Sequence, residues 1–367
     1  MKTVGIIGWR GMVGSVLLER FRQENDLEGV DVHFFSTSQA GQPGPDLGGG
    51  APLLDANSAD QLAQMDILIS CQGGDYTKEI HPQLRASGWE GAWIDAASSL
   101  RMMPDSCVIL DPVNRPLIDQ ALQDGIRDFI GGNCTVSLML MALQGLFDAG
   151  YVQWVSSSTY QSASGAGARN MIELCKQFQD LGNAAAAQPA ATALELDRSL
   201  QQRLQDPSFP QEAFGAPLAA SLIPWIDRAM PGGQTREEWK GMAECNRIIG
   251  REENPVPVDG TCVRVGSMRC HAQAFTIKLT RNVLLDEAEA LIRDANDWVE
   301  LIPNEKEDTL QRLSPAAVSG GLTVPIGRLR SSLLEPNMLH AFSVGDQLLW
   351  GAAEPLRRML LILLERI

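Results

Sequence analysis

Val4-Gly5-Ile6-Ile7 is a short, wholly apolar run, and Gly8-Trp9-Arg10-Gly11-Met12-Val13-Gly14-Ser15 follows it at once, leading into the helical pattern of residues 16–21. Glycines at 8, 11 and 14 between a strand and a helix predict a tight βα turn. Such a turn lets the backbone approach a pyrophosphate, which then rests on the helix N-terminus. A glycine triplet alone specifies only a sharp turn; the strand before it and the helix after it give the dinucleotide reading. Further units follow in the same rhythm. Asp66-Ile67-Leu68-Ile69-Ser70-Cys71 ends in Gln72-Gly73-Gly74, and Trp93-Ile94-Asp95-Ala96 leads to Ala97-Ser98-Ser99-Leu100-Arg101. Val108-Ile109-Leu110 and Asp128-Phe129-Ile130 complete the series. Strands alternating with helices predict a mostly parallel, doubly wound sheet, with its small-residue turns at the carboxyl ends where such sheets bind ligands.

The second strand, Val32-His33-Phe34-Phe35, ends in Ser36-Thr37-Ser38. An NAD-selective site places Asp or Glu there to hold the ribose 2′-hydroxyl. Hydroxyl groups at this position, with Arg10 in the glycine turn, suit a 2′-phosphate, so the expected cofactor is NADP.

The chain of 367 residues has room for two domains. Its net charge of -15 argues against nucleic acid or an anionic membrane as the main partner, while a few cations focused in one cleft still suit a small anionic substrate. The seven cysteines form no CxxC pair and match neither a zinc site nor a disulfide framework. Met1-Lys2 runs straight into a strand, leaving no room for a cleavable leader, and the apolar stretch 359–364 is too short to span a bilayer. A cytoplasmic location is expected. The patch 184–187 before Gln188-Pro189 reads as a mobile connection or a weak helix edge.

Cys134 stands in Gly131-Gly132-Asn133-Cys134-Thr135, after a strand at 126–130 and before an apolar helix at 136–147. Open backbone N–H groups and the helix dipole favour a thiolate at that place, and the same N–H groups suit an oxyanion. From residue 152 the pattern turns to long alternating segments, the mark of a sheet with one covered face. The segment 152–160 ends in Gln161-Ser162-Ala163-Ser164-Gly165-Ala166-Gly167-Ala168-Arg169, a second small-residue turn able to cover a cofactor. In the run 262–277 a turn at Gly266 can aim Arg264 and His271 into one cleft. Of the four histidines, His33 lies in a strand pattern, His81 precedes Pro82 at a helix start, and His340 ends a short helical stretch. Only His271 keeps company with arginines. Lys240 sits in the charged stretch Arg236-Glu237-Glu238-Trp239-Lys240-Gly241, which by itself reads as a solvated helix.

These segments together resemble aspartate-β-semialdehyde dehydrogenase in its Gram-negative bacterial form. The resemblance runs through 8–15, 34–38, 71–76, 94–102, 131–141, 237–241, the surroundings of Arg264 and His271, and Gly345-Asp346-Gln347-Leu348-Leu349-Trp350-Gly351. It implies a homodimeric oxidoreductase that reductively dephosphorylates L-aspartyl-4-phosphate with NADPH, on the route to lysine, methionine and threonine. Carried onto this chain, it makes Cys134 the nucleophile, His271 the general acid/base, and Gln161 a guide for the covalent intermediate. Arg264 would hold the substrate α-carboxylate and Glu237 its ammonium group, with Arg101, Lys240 and Asn133 on the phosphate. The cofactor would meet Arg10, Gly11, Met12, Val13, Thr37, Ser38, Gln72, Ser164, Gly165, Ala166, Gly167, Ala168 and Gln347. No metal is expected.

The expected fold class is α/β: a Rossmann-like doubly wound domain, residues 1–133 completed by a C-terminal helix at 355–367, and an α+β substrate and dimerisation domain, 134–354, with a mixed, largely antiparallel sheet. Two departures from the family pattern stand out. Ala166 occupies a place expected to be glycine, where a positive φ would be strained, and Ala272 replaces a serine beside His271. Two rivals share parts of this plan: N-acetyl-γ-glutamyl-phosphate reductase, whose substrate has a blocked amine and no use for Glu237, and a non-catalytic NADP-binding redox sensor built on Cys134.

Overall fold

The computed structural model describes residues 2–47 and 50–367. Seven strands form the first sheet: β1 (Thr3–Ile7), β2 (Asp31–Ser36), β3 (Leu54–Asp55), β4 (Ile67–Ser70), β5 (Ala92–Asp95), β6 (Ser106–Ile109) and β7 (Asp128–Gly131). Their order is β3-β2-β1-β4-β5-β7-β6, and every pairing is parallel. The strands read as continuous apolar runs because both faces are covered. On one face Val4, Ile6, Ile67, Ile69 and Ile94 pack with Leu17, Leu356 and Leu360; on the other Ile7, Leu68 and Trp93 pack with Ile80 and Leu84. The chain order reverses between β1 and β4, so the turns after these strands flank the crevice of a doubly wound sheet. They touch there: a Cβ at Gly8, whose φ is +75°, would lie 2.5 Å from the carbonyl carbon of Cys71.

Helix Glu354–Leu363 returns to this first sheet, packing on helix Met12–Glu24, β5 and β7. Arg357 fastens it, donating to Asp26 at 2.6 Å and to Glu354 at 2.6 Å.

The second sheet holds β8 (Val152–Gln161), β9 (Leu222–Ile223), β10 (Val258–Asp259), β11 (Cys262–Val265), β12 (Cys270–Leu279), β13 (Val299–Leu301), β14 (Val324–Ser331) and β15 (Met338–Asp346). The order is β13-β14-β15-β12-β8-β11-β9, with β10 beside β8. The four central strands, β14, β15, β12 and β8, are antiparallel, while β10 and β11 run parallel to β8, and β13 to β14. Helix Cys134–Asp148 lies against this sheet and is buried from Thr135 to Phe147, as its all-round apolar character demands.

Two local expectations change. His81 and Pro82 lie inside helix Gly74–Ala86 rather than at its start, and His81 meets Asp128 at 2.9 Å as a packing residue. His340 is in β15, facing Thr276 of β12, so the short helical reading there fails. Of the two readings of the patch 184–187 the helix edge holds: helix Ala168–Ala186 ends there, with Ala187 as its C-cap. Among the described residues no helix is long and apolar enough to cross a membrane.

Candidate active site

The loop from β7 to helix Cys134–Asp148 is pinned before it delivers Cys134. Asn133 is the helix N-cap: its Oδ1 accepts from the N–H of Thr135 at 3.0 Å and of Val136 at 3.1 Å. Two of the N–H groups expected to await an oxyanion are therefore already satisfied by the cap. Helix Arg236–Ile248 grips the same residue twice. Glu237 accepts from Asn133 Nδ2 at 2.9 Å, and Glu244 accepts from the Asn133 backbone N–H at 2.8 Å.

Cys134 Sγ lies 3.2 Å from His271 Nε2. His271 is wholly enclosed at the start of β12, and its Nδ1 accepts from the Ser162 backbone N–H at 3.1 Å. Burial, then the neighbouring Arg264 guanidinium, push the imidazole down to about 3, against a weaker pull from Glu237. Burial and Glu237 push the Cys134 thiol up to about 12, outweighing Lys240, Arg264 and Arg101. Burial and Glu237 thus oppose the thiolate that the helix terminus favours.

Glu237 is the hub of the polar wall. Its Oε1 accepts from Asn133 and, at 3.3 Å, from Gln161 Nε2; its Oε2 accepts from Lys240 Nζ at 2.9 Å. Burial pushes this carboxyl up, but Lys240 and Asn133 prevail and hold it below its ordinary value. Lys240 is mostly buried, not a solvated surface residue, and Glu237 keeps it charged in spite of desolvation. Arg264, lowered by burial, donates from Nη1 to the Ser162 carbonyl at 2.8 Å. Arg101 donates from Nε to the Gly131 carbonyl at 2.5 Å and pairs with Glu244 at 3.2 Å.

These groups border one cleft of about 490 Å³. Cys134, Asn133, Gln161, Arg101, Glu237, Lys240 and Arg264 line it together with Val13, Gly165, Ala166 and Gln347. Gly165 lets the turn press close, since a Cβ there would sit 2.9 Å from Arg264 Nη1 and 3.1 Å from His271 Cε1. The feared strain at Ala166 does not arise: the positive φ, 103°, belongs to Gly167, and Ala168 opens the next helix. Ser164 is buried and donates to Gln347 Oε1 at 2.7 Å.

Arg10, Gly11, Met12, Thr37, Ser38 and Gln72 do not line the cleft. They sit on the turns after β1, β2 and β4, with Arg10, Thr37, Ser38 and Gln72 exposed. Helix Met12–Glu24 has Gly11 as its N-cap with no side-chain cap, leaving its first N–H groups open to an anion. A Cβ on Gly14 would fall 2.4 Å from the Gly8 carbonyl oxygen, so glycine there lets the helix start pack tightly on its own turn. Arg10 lies over the Trp9 ring at 4.2 Å.

Four residues of the site escape sequence reasoning. Glu244 stands seven positions after Glu237, on the same helix face, a spacing that could have revealed it. Asp227 holds a left-handed backbone (φ 69°) and accepts from Lys240 at 3.4 Å. Ser162 contacts His271 at both its N–H and its hydroxyl. Gly351, in the π-helical turn Leu349–Ala353, admits Cys134, whose Cβ would be 2.8 Å from a Cβ there.

Residues 3–121 match the family described as semialdehyde dehydrogenase, NAD binding domain, and residues 143–350 match semialdehyde dehydrogenase, dimerisation domain. An aspartate semialdehyde dehydrogenase from Francisella tularensis is 50% identical, covering 99% of this chain and 100% of its own, with a TM-score of 0.96. Aspartate semialdehyde dehydrogenase II from Vibrio cholerae, complexed with ASA, shares the fold at 24% identity and a TM-score of 0.79, over 99% of this chain and 98% of its own. So does the Candida albicans enzyme with NADP, at 16% identity and 0.67, over the full length of both chains. With both family domains in place and half of its residues shared with a full-length relative, the chain belongs to the aspartate semialdehyde dehydrogenase family.

Proposed function

We propose that the protein reductively dephosphorylates L-aspartyl-4-phosphate to L-aspartate-4-semialdehyde with NADPH, through a thioester on Cys134. It works as a cytoplasmic homodimer on the route to lysine, methionine and threonine. Residues 1–133 and 355–367 form the cofactor unit, and residues 134–354 supply the chemistry and the dimer contact. One observation carries this reading: Cys134, with His271 at 3.2 Å behind it, opens into a cleft that also holds Arg264, Glu237, Lys240 and Arg101.

Each group has a use in that reaction. The planar fork of Arg264 suits the α-carboxylate and Glu237 suits the α-ammonium. Arg101, Lys240 and the Asn133 amide take the phosphate. As Cys134 attacks, the C–S bond forms, the acyl C–O bond breaks and phosphate leaves into this cationic corner, while Gln161 holds the acyl group. A bound nicotinamide cofactor supplies the hydride that reduces the thioester. His271 then returns a proton to sulfur as the C–S bond opens. The glycine cradle with Arg10, Thr37, Ser38 and Gln72 suits the nucleotide, and Val13, Ser164, Gly165, Ala166, Gly167, Ala168 and Gln347 suit its nicotinamide side. NADP is favoured over NAD because β2 ends in hydroxyl residues with no acid, beside Arg10.

Glu237 speaks against an N-acetylated substrate, and a redox sensor has no need of carboxylate and ammonium partners around its thiol. The test is NADPH formation from NADP and L-aspartate-4-semialdehyde, with and without inorganic phosphate, in the wild type and Cys134→Ala. Activity that requires phosphate and disappears in the variant is expected. Turnover of N-acetylglutamate semialdehyde in its place would overturn the assignment.

A further inference from the structure

We propose that Ser162 and Ser164 form a hydroxyl relay, ending on Gln347, that gives His271 the tautomer able to take the proton of Cys134. The proposal rests on the reading of Cys134 as nucleophile and His271 as its proton acceptor. The ring nitrogen Nδ1 has one in-plane bonding position, and Ser162 addresses it in two opposite ways. Its peptide N–H, at 3.1 Å, can only donate, which favours a bare Nδ1 and a proton on Nε2. A ring in that state has no lone pair facing Cys134 Sγ and cannot act as its base.

The hydroxyl of Ser162, at 2.9 Å from the same Nδ1, is able to accept instead. To do so it must aim its own O–H away from the ring. Ser164 Oγ stands 2.9 Å away to accept that hydrogen bond, and Ser164 in turn donates to Gln347 Oε1 at 2.7 Å. All three side chains are buried, so solvent does not stand in for any link. With every bond pointing toward Gln347, Nδ1 keeps its hydrogen at the expense of its bond from the Ser162 peptide N–H, and the bare Nε2 faces sulfur. Proton transfer then breaks the S–H bond and forms Nε2–H, while Nδ1–H remains donated to Ser162. The reverse transfer returns the proton when the thiolate is expelled.

The imidazolium formed in this way is otherwise poorly supported. Arg264 on β11 opposes it, Glu237 on helix Arg236–Ile248 favours it weakly, and Cys134 on its own helix, once ionised, is the anion in direct contact with it. Burial and Arg264 hold the ring down to about 3. An acceptor for Nδ1–H is therefore needed, and Ser162 Oγ is placed to be it.

The experiment is the pH profile of iodoacetamide alkylation at Cys134, read by mass spectrometry on the peptide that carries it, in full-length enzyme without substrate. Ser162→Ala should move the profile to higher pH by about one unit, slowing alkylation roughly tenfold at neutral pH. Ser162→Thr, which keeps the hydroxyl, should restore the wild-type profile. Ser164→Ala breaks the chain one link away from the ring and should give a smaller shift in the same direction, which decides the matter if Ser162→Ala does not fold. Profiles that superimpose on wild type, or that fall by one factor at every pH with no shift, overturn the relay. A shift seen in a protein that fails the dehydrogenase assay would leave the relay standing and remove the proposed function.

Discussion

Arg101 and Glu244 meet at 3.2 Å beneath the loop that presents Cys134, joining the connection between β5 and β6 to helix Arg236–Ile248. The same carboxylate takes the Asn133 N–H, so one acid orients both the cation proposed for the phosphate and the residue that caps the cysteine helix. Both side chains are nearly inaccessible.

Glu244→Gln should therefore do more than remove a charge. Breaking a buried pair costs about 3–5 kcal/mol, because the surviving ion stays desolvated. Urea unfolding should show a loss of that order, and the KM for phosphate should rise as Arg101 loses its fixed orientation. Unchanged stability and unchanged KM would show that Glu244 is a bystander.

The buried imidazole of His271 predicts a pH dependence of stability. Its folded pKa is lowered to about 3 from an ordinary value of 6.5, so between those limits the unfolded chain binds more protons than the folded one. Stability is then full above about pH 6.5 and falls as the pH drops toward 3. Denaturant unfolding at several acidic pH values should give a shallower slope in His271→Asn than in wild type. Identical slopes would mean that the ring is already charged in the fold.

Arg10 tests the cofactor preference. Losing a charge-assisted hydrogen bond costs about 1.5–3 kcal/mol, so Arg10→Ala should reduce the preference for NADP over NAD by roughly 10- to 100-fold. Titration of both cofactors followed by protein fluorescence checks it, and an unaltered ratio would assign selection to Thr37 and Ser38.

Gly165→Ala should injure catalysis without loosening the nucleotide cradle at Gly8 and Gly14. The new methyl would meet Arg264 Nη1 at 2.9 Å and the His271 ring at 3.1 Å. Overpacking of this kind costs about 1–3 kcal/mol, predicting a roughly 10- to 100-fold fall in kcat/KM for the semialdehyde. Full activity would show that both side chains yield freely.

The architecture was legible wherever pattern and local chemistry agree. The run at 3–7, the glycine turn and the alternation at 152–160 each folded as their periodicity demands. Readings failed where distant contacts decide. His340 becomes a strand residue through pairing with Thr276, which local sequence does not announce. Pro82 reads as a helix start, yet the helix continues through it, with His81 held by Asp128 from β7. At Cys134 the helix-end rule is local, while the burial and the Glu237 charge that oppose it come from the tertiary fold. Glu244 and Ser162 went unnoticed because their importance lies in bonds to residues far away in the chain.

The most direct test of the covalent route is to mix the enzyme with NADP and L-aspartate-4-semialdehyde in phosphate-free buffer. The account predicts a burst of one NADPH per active site, then a stall, with an aspartyl group recovered on the peptide that carries Cys134. Steady NADPH formation without phosphate, or a burst that leaves Cys134 unmodified, would contradict it.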